Sequence, residues 1–133
     1  SELLRLIESV GGCVVADDLC TGSRYFWNLV KENGEPMRAI AERYLRKIPC
    51  PFMHSSEERF KHAREMAKVY NVKGAIIFTF KFCDVHGFDA PLLAEELREK
   101  EGIPVLCLEW EHSLSGIAQL KTRIEAFIEM LEE

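Results

Sequence analysis

Most side chains that could carry chemistry lie in three predicted loops, each of which directly follows a short apolar run. Cys20 and Cys83 stand out, because a loop thiolate can bind a metal ion or an iron–sulfur cluster. The spacing Cys83-x-x-His86 is half of a zinc site, but no second pair of ligands completes it. From spacing alone, Cys83 could equally be an ordinary loop thiol. The side chains that could bind a ligand or take part in catalysis are, in the first loop, Asp17, Asp18, Cys20, Thr21 and Arg24; in the second, Lys81, Cys83, Asp84, His86 and Asp89; and in the third, Glu109, Trp110, Glu111 and His112.

The other three of the five cysteines are predicted to be structural. Cys13 and Cys107 fall inside predicted strands, where a thiol packs as a small hydrophobic group. Cys50 lies between two prolines and is also expected to have a structural role. The chain shows no charged-then-apolar leader, so we expect free thiols in the reducing cytoplasm rather than a disulfide framework.

The segment 21–24, Thr-Gly-Ser-Arg, begins a predicted helix and has two interpretations. Free backbone N–H groups beside an arginine could bind a carboxylate or a phosphate. Alternatively, Ser23 caps the helix and Arg24 lies on the surface. Asp17 and Asp18 could orient a ligand, or they could simply solvate the loop. Three histidines lack partners at ligand spacing and are predicted to be structural: His54, His62 and His112.

Short apolar runs alternate with longer amphipathic segments, a pattern that predicts strands between helices. Residues 74–80 are apolar on both faces, as expected at the centre of a parallel sheet. Residues 81–91 are predicted to form a long loop. Strands are predicted at 13–16, 74–80 and 104–108, and helices at 3–10, from about 24, at 36–47, from 55 or 56 to about 70, at 91–100 and at 117–131.

This order predicts a single α/β domain over residues 1–133, in which helices cover both faces of a short parallel sheet. The expected architecture is a three-layer α/β/α fold, Rossmann-like or flavodoxin-like, with three to four strands. Ligands bind such sheets beyond the carboxyl ends of the strands. The three polar loops follow those ends, so we expect a functional site at that edge.

The composition argues against two classes of partner. A net charge of −5 is the wrong sign for nucleic-acid binding, which needs a basic face. The longest apolar run, residues 74–80, is far too short to cross a bilayer. We therefore expect a cytoplasmic protein that binds neither nucleic acid nor membrane.

Several segments together resemble one enzyme family. The most specific are Lys-Phe-Cys-Asp at 81–84 and Thr-Arg-Ile-Glu-Ala-Phe at 122–127. Ala-Asp-Asp-Leu-Cys-Thr-Gly-Ser-Arg at 16–24, Phe-Asp-Ala-Pro at 88–91 and Gly-Ile-Pro-Val-Leu at 102–106 complete the pattern in the same order. On these motifs the chain is similar to the C-terminal domain of subunits of the 2-hydroxyacyl-CoA dehydratase / benzoyl-CoA reductase family, which includes the 2-hydroxyglutaryl-CoA dehydratase D-component.

The resemblance implies that the chain is part of a larger subunit with a [4Fe–4S] cluster held by three cysteines. Cys83 matches one ligand, and the other two would come from the preceding domain, outside this chain. Members of the family are lyases that remove water from (R)-2-hydroxyacyl-CoA thioesters, or enzymes that reduce an aromatic acyl-CoA ring. Both reactions proceed through ketyl-type radicals in anaerobic cytoplasm. Candidates for contact with the cluster sulfurs are Asp18, Cys20, Thr21 and Lys81.

The resemblance also implies the partners of the chain. These are the N-terminal domain of the same subunit, a second homologous subunit, an ATP-dependent iron–sulfur activator protein and an acyl-CoA substrate. The sequence departs from the family after Cys-Asp, where Val85-His86-Gly87 replaces a common proline. The isolated chain is expected to be inactive, since a single cysteine cannot hold a cluster.

Two other functions stay open on the sequence alone. One is a non-catalytic α/β domain that docks subunits. The other is a small metal-binding or anion-binding domain that uses Cys83, His86 and Cys20. Stoichiometric zinc in the isolated chain would favour this second alternative.

Overall fold

The structure is a computed structural model that describes residues 2–53, 56–111 and 116–132. In these ranges the chain forms six helices and two strands in an α/β order. The elements are α1 Glu2–Ser9, α2 Ser23–Phe26, α3 Pro36–Leu45, α4 Ser56–Val69, β1 Ala75–Phe80, α5 Asp84–Glu101, β2 Val105–Trp110 and α6 Ile117–Glu132.

The two strands pair in parallel, with Ala75 opposite Val105 at one end and Phe80 opposite Trp110 at the other. The α/β class is therefore confirmed, but the predicted three to four strands are wrong: the sheet has two within the described ranges. The predicted strand 13–16 has no ladder, and Val14 and Val15 are exposed. A short apolar run becomes a buried strand only when a neighbouring strand and a covering layer remove it from water.

Helices cover both faces of the sheet, because successive strand side chains point in opposite directions. On one face, Ala75 and Ile77 of β1 pack against a core from α4 and α5. On the other face, Ile76 and Phe78 pack against a core from α1 and α6. The two cores contain Phe60, Ala67, Leu93, Ala94, Leu97, Ile103 and Val105 on the first face, and Ile7, Leu108, Leu120 and Ile124 on the second.

Helix α5 begins at Asp84, so the predicted loop over 81–91 is wrong. Pro91 lies inside the helix, where it lacks an N–H to donate to the carbonyl of Gly87. The buried positions of α5 recur at helical spacing from before this proline: Asp89, Ala90, Leu93, Ala94 and Leu97. Packing of this stripe outweighs the single hydrogen bond that the proline removes. The chain thus enters α5 only three residues after β1.

Some sequence predictions concern residues outside the described ranges. These are the structural roles of His54 and His112, and the cap at Ser55. Among the described helices, none is both long enough and apolar enough to span a membrane.

Candidate functional site

Cys83 occupies the turn that joins β1 to α5, at the N-cap position of the helix. Its backbone N–H donates to the carbonyl of Phe80 at 3.2 Å, and its own carbonyl accepts from Gly87 at 2.8 Å. The preceding residue, Phe82, adopts a left-handed conformation with φ of 65°. This tight turn fixes the backbone of Cys83 between the most apolar strand and a long helix.

The side chain of Cys83 is half-buried and forms no disulfide, and it makes no capping hydrogen bond to the first turn of α5. The N–H groups of that turn lie at the positive end of an 18-residue helix, an arrangement that favours an anionic group. A thiolate bound to an anionic iron–sulfur cluster fits this environment, because N–H groups can donate to the cluster sulfurs.

The loops after β1 and β2 lie at one edge of the sheet, as predicted for two of the three polar loops, whereas the loop with Asp17 and Asp18 follows no strand within residues 2–53. Lys81 donates its backbone N–H to the carbonyl of Trp110 at 2.9 Å. Its ammonium group forms an ion pair with Glu111. The hydrogen bond from the ammonium group to the Glu111 carboxylate, together with the negative charge of Glu111, raises the pKa of Lys81. The lysine therefore stays charged, and its ammonium group is held by Glu111, the residue directly after β2.

The loop before α2 is ordered by its own acidic residues. Asp17 accepts hydrogen bonds from the N–H groups of Leu19 at 3.1 Å and Ser23 at 3.0 Å. Ser23 donates its hydroxyl to the carbonyl of Asp17, so it does not cap α2 as predicted, and Gly22 takes the N-cap position. The carboxylate that was predicted to orient a ligand or solvate the loop instead closes the loop on itself.

Arg24 is buried rather than on the surface, with only 4% of it exposed. Its Nε donates to Asp18 Oδ1 at 2.8 Å, and its Nη2 lies 2.7 Å from Asp18 Oδ2. Burial lowers the pKa of Arg24, but the hydrogen bond and charge of Asp18 outweigh that effect and raise it overall. Because Asp18 already neutralises the guanidinium, segment 21–24 is a poor anion site.

Two buried charged residues complete this region: Asp89, which the sequence analysis placed in the second polar loop, and Arg59, which it did not name. Arg59 and Asp89 are 5% and 9% exposed, and Arg59 Nη1 lies 2.5 Å from Asp89 Oδ2. Arg59 Nη2 also lies 3.9 Å from Asp18 Oδ2. The sequence contained one indication that Arg59 is buried. Arg59 is four residues before Ala63 and so lies on the apolar face of α4, where an unpaired charge would be costly.

His62 lies one turn after Arg59 on α4 and packs edge-on against Trp27, with ring centroids 5.0 Å apart. It is 4% exposed, and its Nε2 is buried with no hydrogen-bond partner. Burial lowers the pKa of His62 despite the opposing charge of Asp18. The fold therefore holds this imidazole in its neutral form.

The remaining predicted residues do not converge into a metal site. Cys20 is exposed, and its Sγ accepts a hydrogen bond from Arg24 Nη1 at 3.6 Å. Thr21 is exposed in the same loop, whereas His86 packs edge-on against Phe52. Across residues 2–53, 56–111 and 116–132, no three His, Cys, Asp or Glu side chains are placed to hold a metal ion.

The prediction for Cys13 and Cys107 is wrong, since both are exposed rather than packed. Cys13 lies in a segment that forms no strand. Cys107 lies in β2, but in a two-stranded sheet each strand is at an edge and is only partly covered. Cys50 is half-buried, and its role stays a prediction.

Comparisons with known proteins identify the relatives of this chain. Residues 1–131 match the family model described as 2-hydroxyglutaryl-CoA dehydratase, D-component. Over 130 residues, 98% of the chain, the identity is 32% with the putative dehydratase YjiM of Escherichia coli (strain K12) and 31% with the (R)-phenyllactyl-CoA dehydratase beta subunit of Clostridium sporogenes. One of the benzoyl-CoA reductase subunits of Thauera aromatica is 21% identical over 133 residues, again 98% of the chain.

In each case the chain spans about a third, 34%, of the length of the relative. The family model covers nearly all of the chain, including the β1–α5 turn with Cys83 and the loop with Asp18 and Arg24. The relatives named for an activity are subunits of a dehydratase and a reductase that act on acyl-CoA compounds. The chain belongs to the family of the 2-hydroxyglutaryl-CoA dehydratase D-component.

Proposed function

We propose that this chain is the C-terminal domain of a subunit of an iron–sulfur 2-hydroxyacyl-CoA dehydratase or a related acyl-CoA reductase. In this proposal Cys83 is one thiolate ligand of a [4Fe–4S] cluster. The observation that carries it is the place of Cys83 at the N-cap of α5, directly after β1, with no capping hydrogen bond. A cluster ligand must be firmly supported and open on one side, and this position provides both.

When bound, the cluster would supply single electrons to the acyl-CoA thioester. The chain's own residues would hold and tune it. Cys83 would bind one iron, and the first-turn N–H groups of α5 would donate to cluster sulfurs. Lys81, whose ammonium group is paired with Glu111, is a candidate for contact with the cluster sulfurs from the start of the same turn. Asp18, Cys20 and Thr21 are further candidates for contacts with the cluster, from the loop before α2.

The proposal implies several partners in the cytoplasm. A preceding domain of the same subunit would supply the other two cysteines, and a second homologous subunit would complete the acyl-CoA site. An ATP-dependent iron–sulfur activator protein would deliver electrons. Two facts about the relatives support this. They are named as subunits, and the chain spans only 34% of their length, so about two thirds of each relative lies outside the matched region.

Replacing Cys83 by serine in the whole subunit tests the ligand assignment. We expect the anaerobically purified Cys83→Ser protein to lose most of its iron and acid-labile sulfide, because a serine hydroxyl is a poor substitute for a thiolate. The matched control is Cys107→Ser, which alters an exposed thiol on the neighbouring strand. It should keep its iron. If Cys83→Ser contained as much iron and sulfide per subunit as the unmodified protein, Cys83 would be excluded as a ligand.

A further inference from the structure

A row of four charged side chains, three buried and one half-buried, connects the loop that carries Cys20 to α5, the helix that Cys83 caps. Arg24 pairs with Asp18 through two contacts of 2.8 and 2.7 Å. Asp18 also faces Arg59 at 3.9 Å, and Arg59 pairs with Asp89 at 2.5 Å. Three chain segments that are distant in sequence are thus linked by ion pairs, in addition to the apolar packing of α4 on α5 and the contact of Trp27 with His62.

One end of this row contacts a cysteine, and the other end lies on the helix that follows Cys83. At one end, Arg24 Nη1 donates to Cys20 Sγ at 3.6 Å. At the other end, Asp89 follows Cys83 by six residues on α5, about 9 Å along the helix axis at 1.5 Å per residue. Any rotation or shift of the first two turns of α5 would pull Asp89 away from Arg59.

Stability alone does not explain why three of these charges, Arg24, Arg59 and Asp89, are buried. Removing paired charges from water costs several kcal/mol per ion, and well-packed apolar side chains of similar volume are often as stable or more so. The planar fork of an arginine, however, fixes the direction of each partner, which an apolar contact does not. Arg59 uses two of its nitrogens for carboxylates from two different segments.

We infer that Asp18, Arg24, Arg59 and Asp89 are positioning residues that set the orientation of Cys83 relative to the Cys20 loop. The inference rests on the proposed function, since it assigns these residues to the cluster environment. The row contains two positive and two negative side chains, so it adds no net charge. Its effect would be positional. It would hold the first two turns of α5 in place, and with them the sulfur of Cys83 and the first-turn N–H groups that would face the cluster.

The structure offers a matched control on the same two helices. Arg64 of α4 pairs with Glu96 of α5, but both side chains are 22% exposed. This pair lies further from Cys83 and makes no contact with the Cys20 loop that the structure records. It should stabilise the packing of α4 on α5 without affecting the orientation of Cys83.

The test compares two double variants of the whole iron-loaded subunit. Arg59→Met with Asp89→Leu replaces the buried pair by apolar groups, and Arg64→Met with Glu96→Leu is the control. We expect the first variant to keep its iron. At a fixed potential, its ratio of reduced to oxidised cluster should change on the order of tenfold, which corresponds to a shift of about 59 mV in the reduction potential of a one-electron couple. The control should leave the ratio unchanged. Equal ratios in both variants would overturn the inference.

A single variant covers the case in which the double replacement does not fold. Arg59→Lys keeps the charge but loses the fork that bridges two carboxylates. We expect it to shift the ratio in the same direction as the double variant. A ratio identical to that of the unmodified subunit would contradict the inference, because the charge alone would then be sufficient.

A second readout separates this inference from the proposed function. In the iron-free whole subunit, the rate at which iodoacetamide alkylates Cys83, relative to Cys107, should change several-fold in Arg59→Met with Asp89→Leu and remain the same in the control. If Cys83→Ser leaves the iron content undiminished, the proposed function fails, and the alkylation rates alone decide the positioning role. If Cys83→Ser loses iron but neither readout responds to the buried pair, only the inference fails.

Discussion

His62 is the residue whose protonation the fold opposes most clearly. Its imidazole is buried against Trp27, and burial lowers its pKa. Asp18 and Glu65 oppose this shift, whereas Arg24 and Arg59 add to it. As pH falls through the ordinary range of histidine, about 6.5, the unfolded chain therefore takes up a proton more readily than the folded chain, and the folded state loses stability.

We expect the free energy of unfolding of the chain to decrease between about pH 7.5 and about pH 5.5 through this residue, on either side of the ordinary histidine pKa. His62→Phe keeps a ring against Trp27 but cannot be protonated, so it should flatten the pH dependence over that interval. Urea denaturation at several pH values measures the slope in both proteins. The same slope in the variant would show that other groups cause the pH dependence.

Single residues also show what the sequence could and could not predict. The position of Cys83 just beyond a strand followed from the apolar run 75–80 and the polar residues after it, although that strand is mostly half-buried. The Arg59–Asp89 pair was missed, because charges on helices are usually solvated and the two residues are thirty positions apart. Only the helical spacing of Arg59 with Ala63 and Met66 indicated burial.

At the scale of elements, the loop before α2 depends on the absence of a side chain at position 22. A Cβ atom on Gly22 would clash with Asp17 Oδ1, the atom that accepts from Leu19 and Ser23. Gly22→Ala should therefore displace Asp17 and leave backbone N–H groups without partners. We expect a loss of about 1–3 kcal/mol in the free energy of unfolding, measured by urea denaturation.

Gly87→Ala is the matched control for that substitution. Gly87 lies within α5, and a Cβ atom there would meet no other atom within 4 Å. Alanine in a helix is favoured over glycine by about 0.5–1 kcal/mol, so this variant should be more stable than the unmodified chain. If both variants lost the same free energy of unfolding, the clash of the added Cβ atom with Asp17 would not be the cause of the destabilisation in Gly22→Ala.

Helix α5 shows how an element boundary escapes prediction. Proline is common at the first position of a helix, so Pro91 suggested a late start, and the polar residues 84–89 resembled a loop. The helix nevertheless begins at Asp84, because Asp89 and Ala90 already belong to its buried stripe. The partner of that stripe, α4, lies elsewhere in the sequence, and its contribution appears only when the two helices pack.

At the scale of the whole molecule, the layered α/β architecture was predictable because two apolar runs separated by amphipathic segments allow few other arrangements. The missing strand at 13–16 was not predictable. Four apolar residues do not specify what covers them, and Val15 is 49% exposed in the structure. Exposed aromatic residues also flank Cys83, with Phe82 95% and Phe88 80% exposed. The chain thus leaves apolar side chains uncovered next to its proposed ligand.

The last prediction concerns the 133-residue chain by itself. Two separate cores, one on each face of the sheet, should let it fold and give the circular dichroism of an α/β protein. It should hold no iron after anaerobic reconstitution with iron and sulfide, since a cluster needs at least three ligands and no such group occurs in the described ranges. Stoichiometric zinc would instead indicate a small metal-binding domain built on Cys83, His86 and Cys20. A stable four-iron cluster in the isolated chain would contradict the proposal that other regions of the subunit supply two ligands, and Cys83→Ser in the same chain would then show whether Cys83 takes part at all.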